Sequence, residues 1–383
     1  MTKTYQKKKT RIFHKIVRKI HFILGLGTGL VIFIVSLTGC IWVFNEEISG
    51  FLEDEIAISP QNRPLILPTE AKSIAQSVCN HEIHGVVYYH TQSPLEVVFY
   101  ESEPAFYQSV YLHPYNGEVL KVEDHLSGFF AFILQGHRFL WLPEKIGSQL
   151  VAWSTLIFVF MLVTGIILWW PKNSRSKAQR FKFKWKTTTK WRRKNYDLHS
   201  ILGFYASIFL FVIALTGLVM AFNWVGYLVY KGLGGEKEMT FSIPLNKSND
   251  NFVDSMGIGI NRLMPILLNK YKSASSLEFH YPKDEKSSIY VEISYDDYLY
   301  YNNDYRFYDQ RTLKEIKTNG LYGAYENTDA SDRTTRMNYD IHVGSIFGIW
   351  GKILVFILSL IAASLPLSGL LIWRGRTRKV SRC

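Results

Sequence analysis

Apolar positions along the chain gather into four long runs without a charged residue. Residues 22–44 and 200–222 are each 23 residues long, and residues 151–170 and 353–373 run for 20 and 21. A helix rises 1.5 Å per residue, so each run can cross a hydrocarbon layer about 30 Å thick. The pattern predicts an α-helical membrane protein with four transmembrane helices. Basic residues precede the first run, as they would a secretory signal. The run is too long for a signal core, however, and Asn45, Glu46 and Glu47 follow it in place of a small-residue cleavage site. It reads as a retained span.

Between the spans the period shortens. Residues 69–80 read as a capped helix, followed by alternating stretches at 84–90, 95–101 and 108–112, and an Asn116-Gly117 turn then leads into 118–122. Asn-Gly between alternating segments is a hairpin signal. In the second connector, residues 251–271 read as a helix, with strands near 277–281, 288–294, 298–301 and 305–308. Helix followed by four strands therefore recurs.

The spans recur as well. His21-Phe-Ile-Leu-Gly25 opens the first and His199-Ser-Ile-Leu-Gly203 the third; Leu37-Thr38-Gly39 and Leu215-Thr216-Gly217 begin sixteen residues after each histidine. Thr164-Gly165 and Ser368-Gly369 occupy matching places in the second and fourth spans. The expected architecture is a tandem repeat of span, exported α+β module, span. Its boundaries are a basic N-terminus at 1–21, spans at 22–44, 149–170, 199–222 and 349–373, modules at 45–148 and 223–348, a basic connector at 171–198 and a tail at 374–383.

Charge assigns the sides. Residues 1–20, 171–198 and 374–383 hold 24 of the 44 Lys and Arg but only one of the 32 acids, Asp197. By the positive-inside bias both termini and the middle connector are expected in the cytoplasm, with the modules on the outer side. The sequence pI near 9.3 is then a signal of topology, and nucleic acid is not an expected partner. Cys40, Cys79 and Cys383 fall in three different environments, so no disulfide is expected.

Eleven histidines are present, and four of them hold matched positions. His21 and His199 stand at the inner thresholds of the first and third spans, each with a glycine, Gly25 or Gly203, one turn on. A glycine there frees the helix face onto which the imidazole projects. If those spans pack together, the two imidazoles can supply both axial ligands of one haem iron. His137 and His342 precede the second and fourth spans by nearly equal distances and would form a second such site on the outer side. A lone histidine at a span end is usually an interfacial residue, and it is the recurrence that favours ligation. His14 is the substitute for His21, and His125 could stand in at the outer site as a ligand or a supporting group. Arg138 offers a cation to a haem propionate. No Cys-x-x-Cys-His occurs, so any haem would be non-covalent haem b, two per chain. The spans are expected to hold no acidic or basic residue, which weakens a proton-coupled pump or transporter. There is also no dinucleotide fingerprint or Walker loop, so electrons would arrive from a quinol or a separate cytoplasmic reductase. Pro366 is expected to kink the fourth span.

Lys19-Ile-His21-Phe-Ile-Leu-Gly25 with Leu37-Thr38-Gly39 resembles the PepSY-associated transmembrane family of iron-regulated inner-membrane proteins. Asp197-Leu-His199-Ser-Ile-Leu-Gly203, Thr164-Gly165-Ile-Ile-Leu-Trp-Trp-Pro171 and Asp340-Ile-His342 look like its other recurring blocks, and the likeness covers almost the whole chain. It implies a bacterial inner-membrane ferric-siderophore reductase with PepSY-like modules, axial ligands at His21, His199, His137 and His342, and a ferric siderophore as the partner reduced at the outer haem. One departure is His113-Pro114 where the family commonly has Asp-Pro, which makes His113 either a turn residue or a substrate contact. The alternatives are a haem-free sensor or peptidase regulator, a siderophore permease, and a quinol-linked cytochrome serving another acceptor.

Overall fold

The structure is a computed structural model that describes residues 2–52, 56–90, 92–103, 105–171, 180–246 and 258–380. The chain divides into a helical unit, residues 1–47, 132–226 and 341–383, and a sheet unit, residues 48–131 and 227–340.

Among the described residues, four helices of the helical unit are long and apolar enough to span a membrane: Arg11–Trp42, Glu144–Trp169, Trp191–Ala221 and Ser345–Gly375. They are called the first to fourth spans. The first packs on the second and the fourth, and the third also packs on the second and the fourth. The first and third spans are therefore diagonal across the bundle, which corrects the expectation that they pack side by side. Directly packed helices lie about 8–10 Å apart, so a diagonal pair stands farther apart than neighbours do. Ile32, Phe158, Leu162, Leu210, Ala214 and Leu358 from all four spans fill the middle of the unit.

The fourth span also corrects the reading that no acidic or basic residue enters a span. Lys352 lies within its first turns, only 5% exposed, and bonds Glu46 at 2.7 Å and Glu47 at 2.8 Å. An ammonium can be buried there because two carboxylates at the end of the first span neutralise it. The helix continues through Pro366, whose ring lies against Gly29.

The sheet unit differs from the expected pair of modules. Among its described residues, seven strands form one antiparallel sheet in the order β4-β3-β2-β1-β5-β6-β7. These are β1 (Ile83–Tyr89), β2 (Leu95–Glu101), β3 (Phe106–Leu112), β4 (Val119–Asp124), β5 (Ser276–His280), β6 (Ile289–Ser294) and β7 (Asp304–Tyr308). β1 pairs with β5 from Val86↔Phe279 to Tyr89↔Ser276, which joins the two halves. Val86, Tyr88, Leu95, Val97, Leu277, Phe279 and Val291 alternate onto one face, where helices Pro68–Val78 and Ile258–Lys270 cover them. Each such side chain contributes about 1.5–3 kcal/mol by leaving water. Asn261 clamps the helices together by accepting from the Thr69 amide and donating to its hydroxyl.

The expected strand at 298–301 is a turn. Asp340 is fully buried and its carboxylate accepts the backbone N–H groups of Tyr300 and Tyr301, which removes those donors from any ladder. The first seven residues of the helix expected at 251–271, and Cys383, lie outside the described residues. His113 serves the hairpin turn: its carbonyl accepts from Gly117 and its Nδ1 from Tyr115.

Candidate functional site

Each histidine expected as a ligand is delivered by a different local device. His21 projects from the unbroken helix Thr2–Trp42. His199 sits in a π-helical turn, Leu198–Leu202, set between two α-helical stretches of the third span; such turns are rare and frequently mark functional sites. Asp197, buried before it, holds that turn through Arg193 at 2.9 Å and the Trp185 indole at 3.2 Å. His137 belongs to the helix Gly128–Phe139, which ends in two residues of positive φ, Leu140 and Trp141. Positive φ strains non-glycine residues. The Trp141 indole stacks on Phe132 and donates to its carbonyl at 2.8 Å, which holds the turn in place. His342 ends the short helix Asn338–Val343, and the positive-φ turn after it is made by Gly344 and Gly348.

The four side chains meet in two pairs. The rings of His21 and His199 have centroids 6.4 Å apart with planes at 88°, and those of His137 and His342 are 6.2 Å apart at 63°. A histidine nitrogen binds a first-row metal at about 2.0–2.1 Å. An imidazole nitrogen lies about 1.1 Å from its ring centre, so two imidazoles on opposite sides of one iron have centroids about 6.3 Å apart. Both pairs match this spacing.

Hydrogen bonding fixes the same proton position in all four rings. His137 donates from Nδ1 to the Val35 carbonyl at 2.9 Å, and His342 from Nδ1 to the Ile213 carbonyl at 3.1 Å. A carbonyl only accepts, so each Nδ1 carries the proton. Thr164 and Ser368 give their hydroxyl hydrogens to helix carbonyls and accept from Nδ1 of His21 at 2.8 Å and of His199 at 2.9 Å. Thr216 adds a second acceptor for His342 at 3.0 Å. Among the described residues no hydrogen bond reaches any of the four Nε2 atoms. Protonated Nδ1 with a bare Nε2 is the form in which a histidine binds metal, its other nitrogen held by a second group. Outside the spans, burial keeps both histidines of the second pair below their ordinary pKa, and His342, beside His137, falls to about 4. Both stay neutral at physiological pH. Donor chemistry, tautomer and spacing fit a haem iron, which His21 with His199 and His137 with His342 would each hold.

The glycines that matter here are not the ones singled out by spacing. A Cβ on Gly25 would meet Met161, and one on Gly203 would meet Leu365, so both face neighbouring helices. Gly165, Gly369, Gly39 and Gly217 instead seat the imidazoles of His21, His199, His137 and His342, with Cβ-to-Cε1 distances of 3.5, 3.5, 2.8 and 3.2 Å. Their Thr-Gly and Ser-Gly dipeptides stood out as repeats, and that repetition was the available signal.

Of the substitutes, His125 bonds Ser109 through Nε2 at 2.8 Å within the sheet unit. His14 has Phe13 as its ring neighbour. Arg138 is exposed and lies over the Phe139 ring at 4.8 Å.

Along the first span, Gly39 beneath His137 is eighteen residues beyond His21. At 1.5 Å per residue the two pairs are separated by roughly 27 Å of helix, with the apolar cluster between them.

No curated protein matches this chain. The family model described as the PepSY-associated TM region matches residues 18–376.

Proposed function

Because the chain belongs to the PepSY-associated TM family, we propose that it is a haem-dependent oxidoreductase of a bacterial inner membrane that passes single electrons to ferric iron in siderophore chelates on the outer face. The observation that carries the reading is one ligand state found four times: Nδ1 held, Nε2 bare, and partners at metal-bridging separation. Haem b, non-covalent and two per chain, supplies one-electron Fe(III)/Fe(II) chemistry when bound.

The chain's own residues set the conditions for that chemistry. Val35, Thr164, Ile213 and Ser368 orient the imidazoles and raise their basicity by accepting from Nδ1. Gly39, Gly165, Gly217 and Gly369 let the rings lie against the helices. The shared apolar cluster excludes water between the sites, and Arg138 would offer its cation to a propionate.

The basic residues at 1–20, 171–198 and 374–383 support a cytoplasmic location for the His21 and His199 pair. The His137 and His342 pair and the sheet unit are then on the periplasmic side. In this reading the spans form a tandem repeat, with the histidine-to-hydroxyl contact of the first half repeated in the second. The donor is a quinol or a cytoplasmic reductase, the acceptor is a ferric siderophore, and lipid surrounds the spans. Hard oxygen donors hold ferric iron tightly and ferrous iron weakly, so one electron releases the metal without cleaving the chelator.

Reduced protein in proteoliposomes, mixed with a ferric hydroxamate chelate and a ferrous-specific chromophore, tests the activity. Wild type should reoxidise as ferrous iron forms, and His342→Ala should not. A reduced protein that no ferric chelate reoxidises would remove the reductase reading and leave haem binding to be judged by its own spectrum.

A further inference from the structure

The sheet unit carries a second group of ligand atoms, unrelated to the two histidine pairs. Nitrogen atoms of His84 on β1 and His280 on β5 and a carboxylate oxygen of Glu278 on β5 lie within 4.8 Å of one another. We infer that His84, Glu278 and His280 form a binding site for a divalent first-row transition-metal ion.

Three features of the strands build this arrangement. β1 pairs with β2 at Ile83↔Phe99 and then at Gly85↔Val98, so His84 is the extra residue of a bulge. A bulge re-aims a side chain and is over-represented beside functional sites. Next to it Gly85 leaves the room that Glu278 occupies, since a Cβ there would lie 2.6 Å from Oε1. On β5, Glu278 and His280 are two residues apart and so share a face.

His280 supplies the observation that points to a ligand. Its Nδ1 donates to the His84 carbonyl at 3.1 Å, which leaves Nε2 as a lone pair. That Nε2 is buried without a hydrogen-bond partner, in a residue only 8% exposed, and lies 3.6 Å from Glu278 Oε1. A buried acceptor left without a partner is destabilising, and a metal would supply that partner. The Tyr290 ring stacks on His280 at 4.2 Å and closes one side, while His84 is exposed and leaves the other open to solvent.

Carboxyl groups gathered on the same face favour a cation. Glu96, Glu278 and Glu292 lie in one transverse row, through Val87↔Glu96, Val87↔Glu278 and Glu278↔Glu292. Two imidazoles and one carboxylate with an open position suit Zn(II), Fe(II) or Co(II). Mg(II) and Ca(II) prefer all-oxygen shells. The site belongs to the sheet alone and stands whether or not haem is present.

Full-length protein in detergent, stripped of labile metal and dialysed against Zn(II) with excess Mg(II), tests it by metal content and titration. One Zn(II) per chain is expected beyond any bound at other sites. His84→Ala, a surface change that leaves the fold intact, and the isosteric Glu278→Gln should each weaken that binding at least about tenfold, with the visible spectrum unchanged. Wild type that retains no Zn(II), or two variants that bind it as tightly as wild type, would overturn the assignment.

Discussion

At the scale of single residues, the proposed function turns on which nitrogen of each histidine carries its proton. The four imidazoles were legible from their matched places, but their acceptors were not. Sequence shows which residues share a helix face, whereas Ser368 reaches His199 and Val35 reaches His137 from other helices. Gly25 and Gly203 were chosen for the same reason, being on the histidine's own helix, while the ring-seating glycines come from its neighbours. Ser368→Ala removes the acceptor for His199 and should weaken haem at that pair by about 10- to 100-fold, read by haem retention during dilution. Gly39→Ala places a methyl 2.8 Å from His137 Cε1. It should remove the haem held by His137 and His342 and leave the other, so the haem-to-protein ratio falls by half.

Glu278 belongs to this scale too. Burial, with Glu292 and Glu96, raises its pKa from 4.5 to about 8, and burial lowers that of His280 to about 3. A group whose folded-state pKa is raised stabilises the fold below its unfolded value and loses that contribution as pH climbs through the folded one. The His280 effect is complete above about pH 6.5, so between pH 6.5 and 8 Glu278 acts without it. Metal-free protein should lose melting temperature across that interval, and Glu278→Gln should flatten the loss. An unchanged slope in the variant would show that other groups set it.

At the scale of elements, the strand positions followed from alternation, and β2 falls where the pattern put it. The joining of two modules into one sheet did not follow, because no local pattern encodes which edge strand meets which. The pairing of β1 with β5 is settled by burial of Tyr88, Leu277 and Phe279 beneath two helices from different halves of the chain. The turn at 298–301 was hidden for a related reason, since the residue that captures its amides, Asp340, is about forty positions away. Phe279→Ala at the junction should cost about 3–5 kcal/mol. Because the sheet is continuous, hydrogen exchange should then show β1, β2, β5 and β6 losing protection together. Loss confined to β5 and β6 would mean that the halves are separate units.

At the scale of the whole molecule, the four spans were the plainest feature of the chain, because the bilayer demands length and apolarity that few soluble elements share. The diagonal placement of the first and third spans was not visible, since apolar faces in lipid do not name their partners. Lys352 was missed within the fourth span because its neutralising pair, Glu46 and Glu47, is about three hundred residues earlier. In the proposed function, the two histidine pairs, with apolar side chains from all four spans between them, give the transfer a direction that either pair alone would lack.

The central claim is that His21 with His199, and His137 with His342, each hold one haem. A reduced-minus-oxidised visible spectrum of purified protein, with the haem-to-protein ratio measured on the same sample, tests it most directly. Two haems per chain with sharp low-spin bands are predicted, falling to one in His199→Ala. Protein made with ample haem supply that contains no porphyrin, or a His199→Ala variant that keeps both, would contradict it.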